Sequence, residues 1–252
     1  MIISVIIPFY NEFYLLNRAI NSIFIQLEDN INVVFEVLIG NDGPYDNDTV
    51  VNQIEVKYRD SIIIIISKHP KGPGAARNCV LDIAKGELIA FLDSDDYWLK
   101  GKISSQINLY KNGFNFIATS YQFDSTNLII YPPNLGLHNQ FKVFKYLGLG
   151  TSTLLIASEL IKGMRFRDFR FCQDIDFWYR LSLSKNFSYA SVNKSLVVYS
   201  TSGSTKNKLV QAIWFWEVMS QNKVVIPLRL YYLARYAARG FLNHLIPRFV
   251  KK

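Results

Sequence analysis

Four runs of apolar, largely β-branched residues punctuate the first hundred positions, at 2–9, 33–41, 61–67 and 87–92, and each is followed by Gly, Pro, Asn or Asp. Runs of this length and composition predict strands, and their continuous apolar character predicts cover on both faces. The five isoleucines Ile62–Ile66 read as a buried central strand. Between the first two runs, Leu15, Leu16, Ala19, Ile20, Ile23 and Phe24 recur at helical spacing; "AARNCVLDIAKG" (75–86) reads as a second helix closed by Gly86 at its C′ position. Strand and helix thus alternate, which predicts an α/β fold with a mostly parallel, doubly wound sheet and helices on both faces. In such sheets ligands gather at the carboxyl ends of the strands. The polar clusters "FYNE", "GNDGPYDND", "KHPKGPGAARN" and "DSDDYW" follow strands one to four in turn, so all four are expected on one edge.

Beyond Lys100 the pattern loosens. It predicts a helix near 102–112, strands near 114–131, a loop near 132–140 and a strand at "STLLIA". A helix over "QDIDFWYRLSLSK", a strand over "YASVNKSLVVY" and the small polar segment "STSGSTKNK" follow. From Pro227 the chain reads as a helix stopped near Pro247, with Leu230, Ala234, Ala237, Phe241 and Leu245 at helical spacing.

Composition narrows the class. With 252 residues, 50% of them hydrophobic and 19% charged, the chain makes a sizeable core and is not disordered. The five-isoleucine run falls far short of the ~20 residues that cross a bilayer. "MIISVIIPF" meets Pro8 and then polar residues without a preceding basic segment, so no secretory signal is read and the chain is expected to start in the cytosol. Cys79 and Cys172 lie in no CxxC or His-rich setting and are expected to be reduced packing residues. The net charge of +8 is concentrated at the end: from Val218 onward there are seven basic residues and no acid, leaving about +1 for the rest. Basic residues with aromatics in a helix fit an anionic membrane surface, with packing onto the preceding part of the chain as the alternative. No nucleic-acid-binding motif is present, so no nucleic acid partner is expected.

Asp93, Asp95 and Asp96 crowd the tip of the fourth strand, where like charges raise one another's pKa unless a cation intervenes. Asp93 and Asp95 could share a Mg²⁺ or Mn²⁺, which favours oxygen ligands and phosphates. Taken alone, a helix N-cap explains the cluster equally well. "KGPGAARN" lacks the third Gly of a dinucleotide fingerprint, and no GxxxxGK[ST] loop occurs. It leaves a Gly-rich turn bringing Arg77 and a helix N-terminus to the sheet edge, which favours an anion, or else a salt-bridged Arg. Asp174 and Asp176, two apart on a helix, cannot share a face; one can meet a cleft while the other caps or pairs with Arg180.

Taken together, "SVIIPFYNE", "VLIGNDG", "GPGAARN", "GELIAFLDSDDYW" and "QDIDFWYRL", in this order and at these intervals, resemble the family 2 inverting glycosyltransferases of GT-A fold over about residues 3–205. The resemblance implies that Pro8, Tyr10 and Glu12 line the nucleotide pocket, that Asp42 binds the uracil and that Arg77 lies beside the nucleotide. It makes Asp93 and Asp95 the DxD pair, Asp93 toward ribose and Asp95 toward a Mn²⁺ or Mg²⁺ bound to the diphosphate, and leaves Asp96 as the helix cap. It makes Asp174 the general base. The sequence departs from the family pattern at Gln173, usually Glu, and at Pro44, usually Ser. The base position is intact, so activity is expected.

The implied organisation is a nucleotide-sugar-binding half (1–100), an acceptor-binding half of the same domain (101–205) and a basic helical C-terminal tail (206–252). "STSGSTKNK", with Lys206 and Lys208, lies where such enzymes carry a lid over the diphosphate; a plain linker is the alternative. The implied donor is a UDP-sugar. The implied acceptor is a lipid-diphosphate-linked saccharide of a bacterial surface polysaccharide, such as O-antigen or capsule. That places the protein in the cytoplasm, peripheral on the cytoplasmic face of the inner membrane. A sugar-nucleotide-binding module without catalysis is the alternative, and Asp174 speaks against it.

Overall fold

The structure, a computed structural model, describes all residues except 30–31, 67–71, 127, 133–141, 146–148, 202–207 and 250–252, and no side chains at 142, 208 and 239–249. Most of the loop expected at 132–140, the start of "KHPKGPGAARN" and most of "STSGSTKNK", including Lys206 and the Lys208 side chain, lie outside the described residues.

The first half runs β1 (Ile2–Phe9), α1 (Phe13–Phe24), β2 (Val34–Asn41), α2 (Asn47–Gln53), β3 (Ile62–Ile66), α3 (Pro73–Leu81), β4 (Leu88–Phe91) and β5 (Tyr97–Trp98). The second half runs α4 (Lys102–Lys111), β6 (Phe116–Phe123), β7 (Ile129–Ile130), α5 (Lys142–Lys145), β8 (Leu155–Ala157), α6 (Ser158–Ile161), α7 (Gln173–Ser182) and β9 (Tyr189–Tyr199). Two helices follow, α8 (Lys208–Gln221) and α9 (Ile226–Phe249).

One sheet unites the halves in the order β3-β2-β1-β4-β8-β6-β9-β5, with β7 on β6. β3, β2, β1 and β4 are parallel throughout, as the strand–helix alternation predicts. β8 then pairs antiparallel with both β4 and β6, β6 and β9 run parallel, and β5 joins β9 antiparallel, so the sheet as a whole is mixed.

The continuous apolar runs have the expected cause. On β1, Ile3, Val5 and Ile7 enter one core with Leu16, Ala19, Ile20 and Ile23 of α1, while Ile6 enters the other with Phe91, Phe177 and Trp178. β4 splits the same way, Leu88 and Ala90 against Ile89 and Phe91, because side chains alternate along a strand. Burying each of the Val, Leu, Ile and Phe side chains among these is worth about 1.5–3 kcal/mol.

Three local expectations are corrected. The five-isoleucine strand β3 is an edge strand, not a central one, and Ile63 and Ile66 are 44% and 48% exposed. Apolar content reports burial of one strand's faces but carries no information about lateral position in the sheet. α3 starts at Pro73, whose missing N–H costs nothing in a first turn, and ends at Leu81. Gly86 therefore caps no helix; its N–H donates to Ser4 Oγ at 2.8 Å, and a side chain there would collide with the Ser4 backbone. α9 runs through Pro247 to Phe249 rather than stopping before it. Its packed face is Leu228, Tyr232, Leu233 and Tyr236, while Leu230, Ala234 and Ala237 of the expected stripe point outward.

Candidate active site

Each of the four polar strand tips contributes to one concave surface at the carboxyl edge. β1 runs through Pro8 and Phe9 into Tyr10 and then Glu12, which precedes α1. Asn41 at the end of β2 is buried and ties its own loop down. Its amide donates to Tyr45 O (2.8 Å) and Asn47 Oδ1 (3.2 Å), and its Oδ1 accepts from Gly43 N (3.1 Å). This turn presents Asp42, whose Oδ2 accepts from Gly72 N at 2.8 Å, joining the second tip to the third. Gly72, at φ 124°, is the residue that turns the chain into α3. α3 then lies directly on β2, because Gly40 has no side chain to meet the Ala76 carbonyl.

Arg77 is buried with its Nη2 2.5 Å from Asp93 Oδ1 and its guanidinium over the Phe166 ring at 5.4 Å. The salt-bridged reading of Arg77 is thus realised, and Arg77 also lines the cavity surface described below. Its Nε is buried without a hydrogen-bond partner among the described residues.

The three acids on the fourth tip separate. Asp93 faces Arg77, and its N–H donates to Ser152 Oγ at 3.0 Å. Asp95 stands half-buried; burial first, then the Asp93 charge and Glu12, push its carboxyl up to about 6, with Arg18 opposing. The guanidinium of Arg18 stacks on Tyr97 (4.6 Å) and donates to the Asp95 carbonyl (2.5 Å) rather than to its carboxylate. Asp96 is the correction: it caps no helix, because α4 starts six residues on at Lys102, behind Gly101 at φ 90°. Its carboxylate is buried, accepting from Ser152 Oγ (2.5 Å) and Ser200 N (3.0 Å). Burial and its two acidic neighbours raise it well above the usual carboxylate range. Asp96 therefore fastens the acidic loop to the end of β9, a tertiary contact that capping statistics do not report.

α7 supplies the fifth element. Cys172 precedes it at φ 58°, a left-handed conformation that costs a non-glycine residue on the order of 1 kcal/mol or more. This turn sends Asp174 into the cavity and Asp176 into the protein, the separation expected of residues two apart. Burial raises the Asp174 carboxyl; backbone hydrogen bonding and the Arg77 charge oppose that, and Asp93 adds to it. Gln173 is buried over Gly74, where any Cβ would overlap its Oε1. Asp176 is fully buried and pairs with Arg180 Nε (2.8 Å), Arg167 Nη1 (3.2 Å) and Asn222 Nδ2 (2.7 Å).

Two cavities result. The smaller, about 490 Å³, is lined by Pro8, Tyr10, Glu12, Asp42, Arg77, Asp93 and Asp95, every residue expected around a nucleotide and metal. The larger, about 860 Å³, shares Asp42, Pro73, Arg77 and Asp93 with it and contains Asp174. Its far wall, Phe166–Cys172, was not singled out from the sequence, though "FRDFRF" alternates aromatic and charged residues. Asn78 holds that wall by a reciprocal pair with the Phe166 backbone, 2.8 and 2.9 Å.

Among the described residues no three His, Cys, Asp or Glu side chains cluster closely enough to hold a metal unaided. The donor set nevertheless fits a hard divalent cation. Asp95 offers carboxylate oxygens at an acidic tip, and Mg²⁺-type sites use one or two carboxylates with ligand phosphates and water. The arrangement suits a two-part ligand with an anionic link at the junction and a proton acceptor, Asp174, beside the second part.

The profile of the family described as "Glycosyl transferase family 2" matches residues 4–175. The chain belongs to this family. Two Escherichia coli relatives, WfgD and WfaP, are each 30% identical to it over 96% of this chain and 95% of their own. Both are named as UDP-Glc:α-D-GlcNAc-diphosphoundecaprenol β-1,3-glucosyltransferases. The fold matches that of S. aureus TarS 1-349, solved in complex with UDP-GlcNAc, at TM-score 0.67 and 20% identity, over 96% of this chain and 73% of that one. The protein is therefore a glycosyltransferase of GT-A fold, resembling transferases of bacterial surface polysaccharides.

Proposed function

We propose that this glycosyltransferase moves a sugar, with inversion, from a UDP-sugar to a hydroxyl of a lipid-diphosphate-linked saccharide, a unit of O-antigen or capsule. The observation that carries the reading is the meeting of two cavities at Arg77 and Asp93, with Asp95 bordering the smaller and Asp174 the larger. In this reading the nucleoside occupies the smaller cavity, with the uracil on Asp42 and the ribose on Asp93, which Arg77 holds in place. The donor sugar projects past the junction into the larger cavity. Asp174, its carboxyl raised by burial, accepts the proton of the attacking hydroxyl as the new bond to C1 forms and the bond to the diphosphate breaks. Asp95 would hold a Mn²⁺ or Mg²⁺ ion, which would neutralise charge on the diphosphate. The lipid-linked acceptor is supported by the names of the two E. coli relatives.

Residues 1–100 would then serve as the nucleotide-sugar half, 101–205 as the acceptor half and 206–252 as a basic tail. Among the described residues no helix is long and apolar enough to cross a membrane. The C-terminal helices and the turn between them do expose Leu209, Ile213, Val225, Ile226, Leu230 and Tyr231. Together with the tail's basic charge this supports a peripheral position on an anionic, cytoplasmic membrane face.

The test is turnover: nucleotide release from a panel of UDP-sugars, with Mn²⁺, Mg²⁺ or EDTA, and with or without a lipid-diphosphate sugar acceptor. Acceptor-dependent, EDTA-sensitive release from one UDP-sugar is expected; release from none, or insensitivity to EDTA, refutes the corresponding part. Sedimentation with anionic but not zwitterionic vesicles tests the membrane reading, and equal binding to both refutes it.

A further inference from the structure

Arg167 and Arg170 both line the larger cavity and neither lines the smaller. They lie seven and four residues before Asp174 on the Phe166–Cys172 wall, so the Cα of Arg170 is within about 14 Å of that of Asp174 by chain length alone. Arg167 is fixed from behind. Its Nη1 meets the buried Asp176 at 3.2 Å, Asp176 is already held by Arg180 and Asn222, and 41% of the Arg167 side chain remains exposed. Arg170 is exposed beside Phe171, its guanidinium 5.8 Å from the ring, and among the described residues no carboxylate ion-pairs with it. The wall itself carries two guanidinium groups, Arg167 and Arg170, and one carboxylate, Asp168. This wall is thus locally cationic, in a cavity whose other charged lining residues are Asp42, Asp174 and the Arg77–Asp93 pair.

We propose that Arg167 and Arg170 form a subsite for the diphosphate of the acceptor, with Asp176 as the positioning residue that holds Arg167 in place. The inference rests on the lipid-diphosphate acceptor proposed above and assigns the residues that recognise it. An acceptor whose sugar carries a diphosphate on C1 and the reacting hydroxyl on C3, as the names of the two E. coli relatives describe theirs, holds the two groups within the span of one sugar ring. A hydroxyl at Asp174 therefore puts the diphosphate within one sugar's span of Asp174, inside the reach that the chain sets between Asp174 and Arg170. Guanidinium groups suit that ligand because their planar donors pair with phosphate oxygens and stay charged at every working pH. The rings of Phe169 and Phe171, on the same wall, offer apolar contact to the sugar face and the start of the lipid.

The experiment compares two acceptors with the full chain and the UDP-sugar that supports turnover: an α-linked GlcNAc diphosphate ester of a long alkyl chain, and the GlcNAc glycoside of the same alkyl chain without the diphosphate. The wild type is expected to prefer the diphosphate acceptor in kcat/KM. Arg170→Ala is expected to cut that preference about tenfold or more, the weight of one charge-assisted hydrogen bond, through acceptor KM and with donor KM unchanged. Arg167→Lys, which keeps the charge near Asp176 but loses the fork, is expected to cut it less. Asp176→Asn should lower the preference and Asp176→Glu should restore part of it, which a purely structural role would not produce. A preference unaltered in Arg170→Ala overturns the subsite, and a rise in donor KM instead assigns the arginines to the donor and overturns it too. A wild type that turns over no lipid-diphosphate acceptor sinks the acceptor reading itself, and the subsite with it.

Discussion

Asp95 gives the sharpest quantitative test of the site. Its carboxyl is moved from an ordinary 3.8 to about 6, first by burial and then by Asp93. A shift of that size corresponds to on the order of 3 kcal/mol for a fully enclosed group, at 1.36 kcal/mol per pKa unit. Asp95 reaches solvent, so screening reduces this to about 1–2 kcal/mol. Because the folded pKa is raised, the folded state binds this proton more tightly than the unfolded chain does. The penalty is therefore absent below pH 3.8, grows as pH rises through about 6 and is complete at pH 7.5. Asp95→Asn removes the charge while nearly preserving shape. In EDTA at pH 7.5 the variant is expected to melt roughly 3 to 6 °C above the wild type, at 2–4 °C per kcal/mol for a chain of this size, with the gap vanishing near pH 4. Adding Mn²⁺ with UDP should raise the wild-type Tm more than the variant's and narrow the gap, since the variant keeps the nucleoside contacts of Asp42 and Asp93 but loses the charge for the ion, and transfer activity should be lost in the variant. Differential scanning fluorimetry across that pH range makes the measurement. A variant no more stable than wild type at pH 7.5, or a gap that widens toward pH 4, would refute the reasoning that an uncompensated carboxylate sits at this tip.

Three further outcomes are expected. Asp174→Asn should lower kcat by about 10²–10⁴-fold with an unchanged far-ultraviolet spectrum and near-normal donor affinity; in the wild type, kcat/KM should fall as pH drops through the raised carboxyl pKa, because the protonated form accepts no proton. Loss of the spectrum, or a pH profile flat on the acid side, would count against the base assignment. Gly40→Ala should drive a methyl group into the Ala76 carbonyl, displace α3 and reduce soluble yield, whereas Gly113→Ala, at φ 91° in open space, should cost on the order of 1 kcal/mol by strain alone; equal effects in a urea melt would refute the close approach. Asp176→Asn should lower stability by about 3 kcal/mol, since two guanidinium groups lose their buried partner, and a urea midpoint equal to wild type would contradict that burial.

The strands β1, β2, β4 and β9 were legible in the sequence because apolar continuity and turn residues are local signals that also set their ends. The convergence of the four polar tips was equally legible, since a parallel sheet with crossover connections puts every strand's carboxyl end on one edge. Family resemblance then attached chemistry to Asp42, Arg77, Asp93, Asp95 and Asp174.

What stayed hidden was lateral and long-range. Nothing in five consecutive isoleucines states that no strand lies beyond them, so β3 read as central when it is an edge. The wall carrying Arg167 and Arg170 has no periodicity of its own; it becomes a cavity surface only when Asn78 on α3 and Asp176 on α7 hold it from either side.

The aspartates of "DSDDYW" show the division most clearly. Their crowding at a strand tip, and the electrostatic problem it poses, are written in the sequence by itself. Which acid meets Arg77, which has no ion pair among the described residues, and which is fastened to Ser152 and Ser200 was decided by the tertiary structure. The physical reason is that those partners lie 16, 56 and 104 residues away in the chain and reach the acids only through the packing of the whole sheet.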